Sequence, residues 1–478
     1  MSAFDLAAAA RQEMIHEEFT PDFAPGTDAQ VADLKSRRTP TPDGSVRDLR
    51  TLLWSSIDND TSRDLDQIEV AERVDGGIRV LVGVADVDAD VPVGSPIDQH
   101  AASQTTTVYT GVKTFPMLPE ELSTDLTSLN ENVDRLAMVV EMVVGADGNI
   151  SKTSIYRAVV RNHAQLTYNA VGAWLEGSAD APPKVGASAD LQAQLKLQDE
   201  AATLLRDQRH RLGALNFDRV EAEPIMNGDH VQGIEARQAN QASRLIEDFM
   251  IAANEVTART LMDAGVSAIR RVVKTPERWP RIVELAARYG EKLPADPDAG
   301  ALSAFLQKRK AADEVHYPDL SLAVIKLMGP GEYVLAKPGD PGPGHFGLAV
   351  QDYTHSTAPN RRFSDLVTQR LMKGIKYSDD DLAAIARNCT LKEDAARKVQ
   401  RTMQKRIAAV AMQGRIGQTF AGVVTGNTPK GVFVRVLTPP VEGRLVRGEH
   451  GVDVGDQIRV TLVGADPQRG YIDFSRAS

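Results

Sequence analysis

The sequence predicts an α+β fold in which a large mixed domain follows a short helical segment and precedes a small β-barrel. Between Leu52 and Ala89, short β-branched runs alternate with charged residues, which is typical of strands. Later stretches, among them Trp279–Tyr289 and Asp381–Met412, have apolar residues at i, i+3 and i+4, which is typical of helices. After Gly417, short strands alternate with Gly and Pro turns. The predicted domain boundaries are 1–46, 47–415 and 416–478.

The first 46 residues are expected to be helical. An Ala-rich helix precedes a Pro/Gly break at Asp22–Thr27, a second helix is predicted near Ala29–Arg37, and a Thr-Pro-Thr-Pro linker follows at 39–42. Acidic residues surround the Ala-rich run and no basic region precedes it, so the run is interpreted as a helix and not as a signal peptide. Two short helices of this kind are compatible with a helix-turn-helix.

Composition excludes several classes of protein. No stretch approaches the ~20 consecutive apolar residues that a membrane span needs. Cys389 is the only cysteine, which excludes an intramolecular disulfide and a cysteine-based zinc site and indicates a reducing, cytoplasmic location. The net charge of −10 does not exclude a polyanionic partner, because binding depends on where the cations cluster.

The C-terminal segment contains five short strand patterns in succession. This number favours a small closed barrel, and the OB-fold is the commonest five-stranded barrel. The five patterns are TFAGVVTG, KGVFVRVL, VEGRLV, DQIRVTLVGAD and GYIDFS.

The stretch SSIDNDTSRDLDQIEVAE, residues 55–72, is the most informative part of the sequence. Four aspartates, Asp58, Asp60, Asp64 and Asp66, lie within nine positions. Closely spaced carboxylates suit hard divalent cations, and two such ions can align an attacking water with a leaving oxygen for phosphodiester cleavage. A solvated acidic loop remains the alternative from these residues alone. An EF-hand is excluded because its glycine and terminal glutamate are missing.

The spacing I-D-x5-D-x-D resembles the signature of the RNase II (RNB) family. Five further blocks resemble family blocks in the family's order: TTVYTGVKTFPMLPEELSTDLTSL, HAQLTYNAV, RLGALNFD, LIEDFMIAANE and HFGLAVQDYTHSTAPNRRFSDLVTQRL. The resemblance covers about 50–412, and the tail is similar to the RNA-binding OB-fold of the ribosomal-protein S1 type. It implies a processive 3′→5′ exoribonuclease that hydrolyses single-stranded RNA to 5′-nucleoside monophosphates with Mg²⁺ or Mn²⁺ and stalls near duplex.

The resemblance also implies a catalytic site. Asp58, Asp64 and Asp66 would hold metal, and Arg361 would contact the scissile phosphate and offset charge in the transition state. The family usually reads D-x-D-D, whereas this chain has Gln67 at the last position. An amide oxygen can coordinate Mg²⁺ but adds no charge, so Gln67 is retained as a candidate metal ligand.

Two tyrosines and a glutamate match family residues that hold RNA near its 3′ end. Tyr109 and Tyr168 would stack on nucleotides, which gives affinity without sequence preference. The alternative is that each ring simply packs in the core. Glu255 resembles the family glutamate that accepts hydrogen bonds from ribose hydroxyls, a contact that distinguishes RNA from DNA.

Further RNA contacts are predicted beside Arg361 and in the barrel. Arg362 would join a basic stretch that follows the phosphates, although such a stretch can also be a solvated helix face. Phe433 and Arg435 lie where related OB-folds place stacking and phosphate contacts.

Two other departures from the family affect the expectations. Family members often carry a glutamate where this chain has Ala396. They also usually carry two cold-shock OB-folds before the catalytic domain, and some forty-six residues are too few for one, so the RNA entrance is expected to differ. The expected partner is single-stranded RNA, with no membrane and no obligate protein partner. The alternatives are an RNA-binding regulator on a weakened RNB scaffold and an endonuclease using the same metals.

Overall fold

The computed structural model describes residues 4–37, 44–217, 221–227, 230–314, 316–340, 342–429 and 431–477. The predicted linker at 39–42 lies outside these residues. Single turns of other helix types occur at Val87–Ala89, Leu122–Leu126 and Phe346–Leu348. The α-helices are α1 (Leu6–His16), α2 (Thr27–Ser36), α3 (Pro96–Gln104), α4 (Tyr168–Leu175), α5 (Pro183–Gly186), α6 (Ala189–Arg211), α7 (Gln241–Asp263), α8 (Trp279–Arg288), α9 (Ala299–Ala312), α10 (Tyr317–Met328), α11 (Phe363–Met372) and α12 (Asp379–Gln413).

The strands fall into a main sheet, a barrel and three short pairs. They are β1 (Arg47–Asp48), β2 (Trp54–Asp58), β3 (Gln67–Val74), β4 (Gly77–Ala85), β5 (Val108–Tyr109), β6 (Thr114–Phe115), β7 (Asp134–Val144), β8 (Ile150–Thr167), β9 (Glu221–Asn227), β10 (His230–Arg237), β11 (Ala268–Val272), β12 (Glu332–Ala336), β13 (Thr419–Thr428), β14 (Gly431–Leu437), β15 (Pro440–Arg447), β16 (Gln457–Asp466) and β17 (Tyr471–Arg476).

The main sheet has the order β1-β8-β2-β3-β4-β7 and contains both parallel and antiparallel pairs. The first part of β8 also pairs with β7, whereas its last residues run parallel to β2. The sheet therefore curves back on itself. Because side chains alternate across a strand, one face of β3 carries Ile68 and Val70, and the other carries Gln67, Glu69 and Ala71.

Each face of the sheet has its own hydrophobic core. Ile68 and Val70 pack with Phe363 and Leu366 of α11 and with the start of α12. The opposite face packs against α6 and α7 through residues such as Leu195. Covering both faces of β3 with helices explains why the strand is buried along most of its length. The chain therefore enters the interior directly after the acidic loop, where β3 begins.

The helix α12 connects the main domain to the barrel. Successive parts of its buried face join three hydrophobic clusters, with Leu382 in the first, Ala396 in the second and Met412 in the third. The third cluster is the core of the closed barrel β13-β14-β15-β17-β16. The predicted α+β class, mixed sheet, N-terminal helices and C-terminal five-stranded barrel are thus confirmed.

The two N-terminal helices pack on different parts of the protein. The Asp5 side chain accepts the Ala8 N–H at 2.8 Å and caps α1, whose apolar face lies on α12 beside Ala396. By contrast, α2 packs into the core of the main sheet through Val31 and Leu34. This packing gives no support to the helix-turn-helix interpretation. It also explains the small residue at Ala396, because a glutamate there would be buried under α1.

No helix among the described residues is long and apolar enough to cross a membrane.

Candidate active site

The acidic stretch lies at one edge of the main sheet. Strand β2 ends at Asp58 and β3 begins at Gln67, and the two strands are antiparallel with Ser55 opposite Glu69. Antiparallel neighbours place the end of one strand beside the start of the next. The end of β2 at Asp58 therefore lies beside the start of β3, and the loop between the two strands carries the other aspartates.

Leu65 fixes the course of this loop. Its side chain is buried in the main core, its N–H donates to the Ser128 hydroxyl at 3.0 Å, and its carbonyl accepts the Leu129 N–H at 2.9 Å. A residue anchored through both its side chain and its backbone has little conformational freedom. The adjacent Asp64 and Asp66 are consequently held at the edge of the sheet.

Asp66 is bound by a segment that lies 295 positions further along the chain. The Asn360 N–H donates to Asp66 Oδ1 at 3.0 Å, and Arg361 Nε donates to Asp66 Oδ2, also at 3.0 Å. Asp66 is 1% exposed, whereas the Arg361 side chain is 42% exposed. Nε is the only atom of the Arg361 guanidinium hydrogen-bonded to a described residue, so its two terminal nitrogens remain free to bind an anion.

The segment carrying Arg361 is held from below by Asp365. This fully buried carboxylate accepts the Ala358 N–H at 2.8 Å and pairs with Arg362 at 2.7 Å. The backbone of Thr107 also donates to the Arg361 carbonyl at 3.0 Å. Adjacent arginines thus serve different contacts, with Arg361 on the acidic cluster and Arg362 on Asp365.

Burial and mutual repulsion raise the pKa values of two site carboxylates. Burial, reinforced by the nearby Asp66 carboxylate, raises the pKa of Asp58 to about 7. Burial also raises the pKa of Asp66 to about 6, against the lowering effect of Arg361. Gln67 lies close enough to Asp58 for its side chain to lower that pKa by hydrogen bonding. Such shifts in one cleft are typical of functional sites.

Both predicted stacking tyrosines lie beside the acidic cluster. The Tyr109 hydroxyl donates to Asp64 Oδ2 at 2.7 Å, and Tyr109 is 41% exposed. Tyr168 begins α4, and burial together with the Asp58 and Glu69 carboxylates raises its pKa. The alternative that the rings are plain core residues does not fit Tyr109, whose ring is accessible.

The oxygen-rich cluster suits a hard divalent cation. Asp58 Oδ2 is buried and has no hydrogen-bond partner among the described residues, and an unpaired buried carboxylate oxygen is costly unless a cation or proton joins it. The described part of the chain contains no group of three or more His, Cys, Asp or Glu side chains arranged to hold a metal as they stand. Tyr109 and Arg361 are bonded to Asp64 and Asp66 instead. The metal assignment of Asp58, Asp64, Asp66 and Gln67 stays a prediction.

The remaining predicted RNA contacts are not bonded to this cluster. Glu255 lies on α7 and forms an i, i+4 ion pair with Arg259. In the barrel, Arg435 pairs with Asp319 of α10 at 2.8 Å. Phe433 lies on the same strand face as Arg435 and is half-buried. The roles proposed for these residues in RNA binding stay predictions.

Sequence reasoning missed three residues that build the site. Asn360 binds Asp66 through its backbone, and no pattern in the sequence reveals a backbone donor. Asp365 lies one turn into α11, where the flanking FSDL gives no sign of its burial. Glu69 is fully buried beside Asp58. The alternation in QIEVAE, which places Gln67, Glu69 and Ala71 on one face of a buried strand, could have revealed it.

Comparison with known proteins agrees with this architecture. The RNB domain model matches residues 46–377, and the model of the RNase II-type exonuclease C-terminal S1 domain matches residues 418–477. Ribonuclease R of Escherichia coli (strain K12) is 32% identical over 497 residues, which cover 94% of this chain and 59% of that protein. The chain thus spans less than two thirds of the length of this relative.

Solved structures show the same fold. Mycoplasma genitalium RNase R in complex with ribose-methylated single-stranded RNA has a TM-score of 0.87 at 21% identity, covering 99% of this chain and 78% of that one. Yeast Ssd1, described as a pseudonuclease, has a TM-score of 0.71 at 17% identity, covering 92% and 55%. Since the RNB model alone spans well over half of the residues, the chain belongs to the RNB-domain family.

Proposed function

We propose that this protein is a 3′→5′ exoribonuclease that hydrolyses single-stranded RNA processively to 5′-nucleoside monophosphates. The observation that carries the proposal is the contact of Asp66 with Asn360 and Arg361, which joins the acidic loop to an accessible guanidinium across 295 positions. An acidic cluster beside an exposed guanidinium suits phosphodiester hydrolysis, because the first attracts metal and the second attracts phosphate.

Arg361 would hold the scissile phosphate. Its Nε stays on Asp66, so the guanidinium plane is fixed while the terminal nitrogens offer a fork to two phosphate oxygens. A donor that is oriented before the reaction stabilises the charge that develops in the transition state without reorganisation. Asp66 would therefore act on the phosphate through Arg361 as well as on the metal.

Asp58, Asp64 and Asp66 would hold Mg²⁺, with Mn²⁺ as a substitute, and Gln67 would offer an amide oxygen. Nucleases of this family depend on divalent metal, and the bound ion would supply an activated water and offset the charge of the leaving oxygen. Asp58 must be ionised to bind it. Since its pKa is raised to about 7, metal binding should weaken below that pH.

Tyr109 and Tyr168 would position the last nucleotides. The Tyr109 hydroxyl is anchored on Asp64, so the exposed ring is held at a fixed place beside the cluster. Stacking on a fixed ring adds about 1–3 kcal/mol per base and tolerates any sequence. Glu255, Arg362 and Phe433 are proposed as further RNA contacts, and Arg435 as a weaker one because its guanidinium is paired with Asp319. The cytoplasm is proposed as the location.

The alternative is an RNA-binding regulator without hydrolytic activity. Gln67 motivates it, since the cluster has one carboxylate fewer than the family pattern, and a pseudonuclease shares the fold. The main proposal is favoured because Asp58, Asp64, Asp66 and Arg361 are all present and lie together.

The decisive experiment incubates uniformly labelled single-stranded RNA with the protein and Mg²⁺, then with EDTA in place of Mg²⁺. Mononucleotides are expected only with Mg²⁺. Their absence under both conditions, with RNA retained on a filter, would establish the binder instead. A circular RNA of the same sequence should resist digestion, and internal fragments from it would indicate an endonuclease.

A further inference from the structure

Glu69 is a buried carboxylate on the same strand face as Gln67. Strand β3 runs inward from the acidic loop, and Glu69 follows Gln67 by two positions, with Val82 and Val84 opposite them on β4. Ser55 of β2 lies on its other side. Side chains two positions apart on a strand point in the same direction, about 6–7 Å apart. Glu69 therefore lies directly below the position at which the family carboxylate is missing.

Neither oxygen of the Glu69 carboxylate has a hydrogen-bond partner among the described residues. The residue is 0% exposed. Asp58 Oδ2 is likewise buried without a hydrogen-bond partner among the described residues. The Asp58 carboxylate is close enough to act electrostatically on Glu69. Two neighbouring buried carboxyl groups thus present three oxygens without a donor. A buried anion in this condition needs a cation or a proton, because desolvation otherwise costs several kcal/mol.

The polar residues around Glu69 offer it no compensation. Gln198 of α6 uses its side-chain N–H on the Glu69 backbone carbonyl at 3.4 Å, so that amide does not reach the carboxylate. The Ser55 hydroxyl is also buried and has no hydrogen-bond partner within the ranges that the structure describes. Arg361 is bound to Asp66, and Arg237, which reaches the loop at Asn59, is paired with Glu223. Beside the acidic loop, the buried carboxyl oxygens that lack a donor among the described residues are therefore those of Asp58 and Glu69.

We propose that Glu69 supplies the carboxylate that Gln67 lacks and binds the divalent cation together with Asp58. The inference rests on the proposed metal-dependent function and adds a ligand to it. The net number of carboxylates is preserved, but one of them enters from deeper in the sheet and on a longer side chain. Gln67 then lies between two carboxylates, where a neutral amide avoids a third negative charge.

The test measures Mn²⁺ binding to the metal-free full chain by electron paramagnetic resonance and calorimetry, with Mg²⁺ competition. Glu69→Gln has nearly the shape of the protonated acid, so it separates a metal ligand from a neutral structural carboxyl group. We expect it to weaken Mn²⁺ binding at least 10-fold. Glu72→Gln is the matched control, because Glu72 lies on the opposite face of the same strand and pairs with Arg79; it should change binding less than 2-fold.

Two further variants test the position of the charge. Gln67→Asp combined with Glu69→Gln returns the carboxylate to the family position and should restore Mn²⁺ binding to within about 3-fold of the original. Gln67→Asp alone should improve binding less than 3-fold, because the site already has its carboxylate. This single variant also provides an answer if Glu69→Gln fails to fold.

The outcomes separate the two proposals. Unchanged Mn²⁺ affinity in a folded Glu69→Gln variant, or a 10-fold gain from Gln67→Asp alone, would overturn the role of Glu69 while leaving the nuclease proposal in place. Absence of Mn²⁺ binding by the unaltered protein would overturn the metal-dependent function itself, and the role of Glu69 with it.

Discussion

An arginine is paired with an aspartate both at the acidic site and where the C-terminal barrel meets α10, but the two pairs differ in their surroundings. At the site, Asp66 is almost fully buried and Arg361 is 42% exposed. In the barrel, Arg435 and Asp319 are 26% and 30% exposed, and the arginine bonds the aspartate through both terminal nitrogens. The barrel pair therefore has both partners satisfied, whereas the terminal nitrogens of Arg361 have no partner among the described residues.

This difference supports the proposal that Arg361 binds a ligand, whereas Arg435 joins two parts of the fold. A buried carboxylate is costly to keep ionised, and a two-nitrogen contact with the arginine would stabilise it more than the single Nε contact does. The single contact leaves the terminal nitrogens available to a second anion. Nearby, Asp58 and Glu69 also have buried oxygens that find no hydrogen-bond partner in the described part of the chain. In the second pair, Arg435 joins β14 to α10, and both terminal nitrogens of the arginine are already bonded to Asp319. Four predictions sharpen this contrast.

The largest effect is expected for Asp66→Asn. It removes the charge that orients Arg361 and that would bind metal, so mononucleotide release should fall at least 100-fold while RNA binding changes little. A loss of this size corresponds to about 2.7 kcal/mol or more in the barrier. Asp180→Asn, on an exposed loop, is the control. Hydrolysis at more than a tenth of the original rate would remove Asp66 from the catalytic site.

Arg361→Lys should lower hydrolysis by about 10–100-fold. An ammonium is a point charge and cannot hold Asp66 while presenting a planar fork to phosphate. Arg161→Lys is a matched control, because Arg161 is also 42% exposed and also binds an aspartate, Asp134, through Nε. Rates of labelled RNA digestion at saturating RNA make the comparison. Equal losses in both variants would show that the effect comes from the ion pair and not from the phosphate.

Sequence and structure agree where local pattern determines structure. Alternating and i, i+3, i+4 patterns predicted the order of strands and helices, and Trp279–Arg288 and Asp379–Gln413 closely match the predicted helices. The spacing of Asp58, Asp64 and Asp66 identified the acidic loop. Contacts between distant segments could not be predicted this way, because no local pattern shows that Asn360 donates to Asp66.

Burial explains the other differences. The departure at Ala396 was visible in the sequence, but its cause, the packing of α1 on α12, depends on a contact between opposite ends of the chain. Glu69 appeared as one charge in a strand, and only its burial without partners distinguishes it from a solvent-facing residue. The family pattern identified Gln67 as a departure, but it did not indicate a role for Glu69.

The third prediction concerns the stability of the metal-free protein. The pKa of Asp58 is raised from 3.8 to about 7, so its ionisation opposes folding, and its contribution to stability is lost as pH rises from about 4 through 7. Asp58→Asn stays neutral and should therefore stabilise the protein in EDTA at pH 8, by on the order of 1–3 kcal/mol, with no gain at pH 4. Thermal and urea unfolding at both pH values measure it. A gain that is equal at pH 4 and pH 8 would contradict the ionisation argument.

The smallest effect is expected for Arg435→Ala, which tests whether the barrel pair belongs to the fold or to the RNA site. A partly exposed ion pair contributes about 0.2–1 kcal/mol, so the unfolding free energy should fall by no more than that and RNA affinity should change less than about 3-fold.

Asp319→Asn breaks the same pair but leaves the arginine in place. If the pair only joins β14 to α10, both variants lose the same small stability and bind RNA alike. If Arg435 instead contacts phosphate, Asp319→Asn should maintain or raise RNA affinity, whereas Arg435→Ala should lower it. Arg435→Ala should then also lessen the salt dependence of binding by about one counterion. A difference in RNA affinity of more than 5-fold between the two variants would therefore place Arg435 on the RNA path and make the barrel arginine functionally comparable to Arg361.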